Sequence, residues 1–122
     1  MAELTQEIPR ESWRHYFDDL SRRLGTTKAT IEVDAADLGA QIEAEDMVVT
    51  GLSYDDKDDV LVIALDAPGG LRGEAERVID RPRRVLVAGD LPEEEMAIDV
   101  EDGDGRRTIV TLRGAAPLPP PR

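Results

Sequence analysis

The chain has 122 residues and carries 27 Asp and Glu against 15 Lys and Arg, a formal net charge of −12 at neutral pH. It contains no cysteine and a single histidine, His15. That excludes a disulfide framework, thiolate metal centres and a cysteine nucleophile, together with most histidine-based metal sites and proton shuttles.

Residues 1–7 read as a polar lead-in. Pro9 suits the first turn of a helix, where its missing N–H has no partner to lose. Trp13, Phe17, Leu20 and Leu24 then recur on one helical face. With Arg22 and Arg23 near the end and Gly25 as a stop, the pattern predicts a helix over roughly residues 9–24. It holds three of the four aromatic residues, so it must cover something apolar.

After Gly25 the period changes to two. Ala29, Ile31 and Val33 alternate with polar neighbours, as do Ala40, Ile42 and Ala44. The segment from Met47 to Tyr54 continues extended after a bulge expected near Glu45-Asp46, and Gly51 suggests close packing. Asp55 to Asp59 makes a polar turn. Val60 to Leu65 is apolar on both faces and is the expected central strand. Ala67-Pro68-Gly69-Gly70 is a turn signal, Leu71 to Asp80 an expected edge strand, and Arg84 to Ala88 another strand. Met96 to Val100 and Thr108 to Leu112 flank the hairpin turn Asp102-Gly103-Asp104-Gly105.

No second helical period appears, so the crossovers a parallel sheet requires are not available. The expected fold class is α+β: an N-terminal helix packed on a curled antiparallel β-meander, or a small barrel, of six to eight strands. The single domain spans 8–114, and 115–122 is a Pro-rich disordered tail. Leu, Ile, Val and Phe supply about a quarter of the chain, enough to bury a core.

Several segments carry a resemblance. They are Ile8-Pro9-Arg10-Glu11-Ser12-Trp13 opening the helix that ends in Ser21-Arg22-Arg23, then Asp37 to Ala44, and Gly51-Leu52-Ser53-Tyr54-Asp55-Asp56-Lys57. Arg81-Pro82-Arg83-Arg84-Val85 and the acidic hairpin before Arg106-Arg107-Thr108 complete the set. Together they resemble a family of small bacterial and archaeal proteins known only as a domain of unknown function, over most of residues 7–113. The resemblance implies a self-standing intracellular domain and supplies no activity or site residues.

The motifs that could carry chemistry have plainer readings. Asp55 to Asp59 fails the calcium-loop pattern in either register, since Lys57 or Val60 falls where an oxygen ligand is needed. Ser12 and His15 share a helical face without an accompanying glycine-rich elbow. With 27 acids, chance carboxylate pairs are certain and say nothing about glycoside hydrolysis. Gly69 to Gly73 lacks the residues of a phosphate loop. Arg81, Arg83 and Arg84 form the one local basic knot, read as a solvated turn. The Pro117–Arg122 run matches a polyproline docking peptide but is read as an unstructured tail.

The net charge repels phosphate backbones and anionic bilayers, so neither nucleic acid nor membrane is expected as a partner. No apolar run approaches the ~20 residues of a spanning helix, and the start lacks the features of a signal peptide. The expected location is cytoplasmic. Thirteen arginines against Lys28 and Lys57 suit a GC-rich bacterial or archaeal genome.

The leading functional reading is a non-enzymatic accessory or interaction domain, with a stress or solubility role. The alternative is a small-molecule-binding β-barrel, with its cavity between the helix and the strands bearing Gln41 and Tyr54. A carboxylate-based enzyme ranks last. Candidate ligand or partner contacts are Gln41, Tyr54, Asp56 and Lys57; no catalytic, cofactor-binding or metal-binding residue is nominated, and no cofactor is expected. The expected partner is an unidentified protein, or a second copy paired through an edge strand.

Overall fold

The computed structural model describes residues 5–36, 39–66, 74–91 and 95–114. The Ala67–Gly70 turn and the 115–122 tail lie outside those residues.

One 3-10 turn, Arg10–Ser12, leads into helix α1, Trp13–Arg22. The expected helix is therefore tighter in its first turn. Pro9 takes an extended conformation with ψ of 145° and stands outside the helix as the cap of that turn. Trp13, Phe17 and Leu20 are buried on the predicted face, and each side chain of that size contributes about 1.5–3 kcal/mol by leaving water. Ser21 fixes the helix to the sheet: its hydroxyl donates to the Leu52 carbonyl at 2.6 Å and accepts from the Leu52 N–H at 2.8 Å.

Eight strands form one antiparallel sheet: β1 Thr5–Glu7, β2 Lys28–Ala35, β3 Gly39–Asp55, β4 Val60–Asp66, β5 Glu74–Asp80, β6 Pro82–Ala88, β7 Met96–Asp102 and β8 Arg107–Arg113. Their order is β1-β6-β7-β8-β2-β3-β4-β5. The α+β class stands, but the sheet does not close into a barrel: β1 and β5 are its two edges. Thr5–Glu7, the expected lead-in, pairs with Leu86, Val87 and Ala88 as the short β1.

β3 bends the sheet. Its first part pairs with β2 and its last part with β4. The expected bulge is present: Ala29 faces Met47 but Ile31 faces Ala44, and Asp46 takes φ of 57° between them. Lys28 and Arg113 both approach the Asp46 carboxylate, at 3.9 and 3.4 Å. A second bulge leaves Thr50 out of register before Gly51. Gly51 is not a site of close packing, since a side chain there would meet open space.

β5 passes directly into β6 through Arg81, although the two strands sit far apart in the sheet order. Arg81 makes the corner with φ of 50°. Its N–H donates to Asp59 O at 2.8 Å and its carbonyl accepts from Gly103 N at 3.0 Å. The sheet folds over on itself, so Ile63 and Leu65 from β4 share one core with Val85, Ile98, Val110 and the helix.

β4 is not central as expected but lies beside the edge. Leu61, Ile63 and Leu65 face the core, while Val60, Val62 and Ala64 are only half-buried on the outer face. Apolar residues on both faces here reflect a partly covered outer surface rather than position within the sheet.

Candidate functional site

A groove of about 550 Å³ opens where the folded sheet fails to close. One wall is β5 from Glu76 to Asp80. The opposite wall is the β2–β3 hairpin, with Ile31, Val33 and Gln41, and the β7–β8 turn closes one end with Asp102, Asp104 and Arg106. Among the described strands, β5 is hydrogen-bonded to β4 alone. Its other backbone edge bonds to no described residue and borders the groove.

Alternation assigns the faces of β5. Arg77 lies opposite buried Ile63 and Ile79 opposite buried Leu61, so both point to the core side. Glu76, Val78 and Asp80 lie opposite Ala64, Val62 and Val60 on the outer side. Val78 is 53% exposed, and with Ile42 at 60% it is one of two large apolar side chains so exposed among the described residues.

Arg77 crosses the groove on its core side. Its guanidinium donates to the Glu43 carbonyl at 2.8 Å and stands 3.4 Å from the Glu43 carboxylate. The register explains why that carbonyl needs a donor. Ile31 faces Ala44 and Glu32 faces Ile42, which leaves Glu43 as an extra residue without a partner on β2.

Carboxylates dominate the charged part of the lining, with Glu43, Glu76, Asp80, Asp102 and Asp104 against Arg77 and Arg106. Some are already committed. Asp102 accepts the N–H groups of Asp104 at 2.9 Å and Arg106 at 3.0 Å, which builds the hairpin turn, and Asp104 pairs with Arg81 at 3.3 Å. Glu76 and Asp80 have no ion-pair partner among the described residues. The groove therefore presents negative charge beside an open strand edge.

The sequence candidates do not converge there. Gln41 lies on the groove wall. Tyr54 is buried elsewhere, edge-on to Trp13 with ring centroids 5.2 Å apart. Its hydroxyl donates to Asp59 at 2.6 Å and accepts from Arg10 at 3.2 Å. Asp56 and Lys57 are exposed at the β3–β4 turn, where Asp55 accepts the N–H groups of Lys57 and Asp58 at 2.9 and 3.3 Å. Those two bonds hold the Asp55 carboxyl below its ordinary range. The space between the helix and the strands is filled: Trp13, Phe17 and Leu65 are buried in one core.

The remaining motifs disperse. Arg81 and Arg84 turn to different acids, Asp104 and Glu7, and His15 is exposed on α1. Among the described residues, no group of three or more His, Asp or Glu is placed to hold a metal ion. None of the described helices is long and apolar enough to cross a membrane. Arg77 and Val78 escaped the sequence reading; an Arg at the core-facing position of an otherwise alternating edge segment was the available signal.

Comparison with known proteins gives the chain a family. Residues 4–121 match the family of unknown function DUF5335. The chain belongs to the DUF5335 family. An uncharacterized protein of Aquifex aeolicus (strain VF5) is 37% identical over 119 residues, covering 94% of this chain and 97% of that protein. No solved structure matches this DUF5335 chain.

Proposed function

We propose that this DUF5335 chain is a non-enzymatic interaction domain whose partner-facing surface is the groove along β5. The observation that carries this reading is a strand edge that pairs with no described residue and borders a concave surface, with Val78 exposed on that strand. Open edges of this kind are templates for pairing with another chain, and partner recognition by strand addition uses them directly. Its setting in this reading is the cytoplasm, where a charge of −12 keeps the domain soluble.

A photo-crosslinking residue in place of Val78, compared with one in place of His15 on the far helix, tests the reading in the native cell. The expected result is one identified protein attached at position 78, not at 15, and lost when Glu76 is changed to Lys. Equal adducts from both positions, or none from position 78, would overturn it.

A small-molecule ligand is the second reading. It is favoured by the groove volume of about 550 Å³, which falls within the usual ~300–1,000 Å³ of ligand sites. The predominantly polar lining favours a polar chain over a drug-like apolar molecule.

A further inference from the structure

We infer that β5 selects an extended, basic segment of a partner protein, with Lys or Arg opposite Glu76 and Asp80 and a β-branched residue opposite Val78. The inference rests on reading the groove as an interaction surface and names the chemistry of its occupant.

An added strand would take backbone hydrogen bonds from the open edge of β5, and its side chains would alternate between the two faces. Side chains directly opposite on one face interact most strongly. On the outer face β5 presents the sequence carboxylate, apolar, carboxylate as Glu76, Val78 and Asp80. Its complement is cation, β-branched residue, cation at alternate positions. On the core side Arg77 is already held by Glu43, so the intervening positions call for small polar residues.

Charge also decides against the nearest competitor, a second copy of β5. Antiparallel self-pairing centred on Val78 would set Glu76 opposite Asp80 twice, and like charges directly opposite are destabilising. The carboxylates that guard the edge against its own kind are the groups that admit a basic strand.

The probe is a blocked heptapeptide, SKTVTKS, titrated into the isotope-labelled full chain and followed through the amide resonances of Glu76–Asp80. Binding should shift those amides and be weakened by added salt. The Glu76→Lys/Asp80→Lys double variant should lose about tenfold in affinity, since two attractive cross-strand pairs become repulsive. The acidic analogue SETVTES should not bind. A peptide N-methylated at alternate backbone amides, with its charge intact, should also fail.

Equal binding by the N-methylated peptide, or shifts spread over the helix instead of β5, would reduce the effect to general ionic attraction and overturn the inference. So would the absence of any shift. The two readings fail separately. A cellular adduct at position 78 to a neutral or helical segment would sink the basic-strand assignment and leave the interaction reading standing. Peptide binding along β5 with no cellular adduct would overturn the interaction reading and leave standing only the preference of the edge for a basic strand.

Discussion

Arg10 joins three parts of the chain that are distant in sequence. Its guanidinium donates to the Pro82 carbonyl at 2.8 Å, to the Tyr54 hydroxyl and to Asp59, both at 3.2 Å, and lies 4.5 Å from the Trp13 ring centre. The side chain is half exposed, so its ion pair with Asp59 adds little and the carbonyl and hydroxyl bonds carry most of its effect. Arg10→Ala should cost about 1–2 kcal/mol in urea unfolding; a change within the ~0.5 kcal/mol of an ordinary surface substitution would contradict that role. The two tyrosines give a pH signature. Burial is the main cause that pushes Tyr16 up to about 12, and burial followed by the bond to Asp59 raises Tyr54. Both phenols ionise more readily in the unfolded chain, which therefore loses protons first, so stability falls as pH rises above 10, by Tyr16 up to about 12. Tyrosinate absorbance of the native chain should stay low through pH 10, and a phenol titrating at its ordinary value in the folded protein would contradict this placement.

Among the elements, α1 and most strands were legible because burial imposes a period. Trp13, Phe17 and Leu20 mark the 3.6 repeat, and Met96, Ile98 and Val100 mark the alternation. The bulge at Asp46 was legible too, since the apolar pattern shifts there. Three things were not. The order β8-β2 joins segments far apart in sequence, and alternation is silent about partners. The corner at Arg81 is made by an ordinary arginine with positive φ, which composition does not mark. The bulge at Glu43 interrupts a run whose residues alternate normally, so the link to Arg77 left no trace. Of the residues named from the sequence, Gln41 lies on the groove wall, whereas Tyr54 packs in the core edge-on to Trp13, a placement that alternation alone does not mark. One consequence belongs to β5 alone. Glu76→Lys would convert each self-pair centred on Val78 from Glu opposite Asp into Lys opposite Asp. That variant should gain dimer relative to the native chain by sedimentation at low salt and lose it at high salt. An unchanged association state would show that charge is not what holds identical edges apart.

At the scale of the whole molecule, the acidic surplus and the open sheet belong together. A closed barrel has no edges to guard, whereas this sheet ends in a very short β1 on one side and in the seven-residue β5 on the other. β1 is protected by brevity. β5 is longer, borders the groove and carries Glu76 and Asp80 outward, so on the proposed reading its protection is electrostatic and selective. On that reading, part of the charge of −12 has a local role: along β5 it discriminates among the strands that could pair. Residue-resolved amide exchange across β5 in the isolated chain tests the openness of that edge most directly. Amides turned toward β4 should exchange slowly and those turned toward the groove quickly, giving a two-residue alternation from Glu76 to Asp80. Uniform slow exchange through the strand would show that the edge is already paired, and would contradict the claim that it is open to a partner.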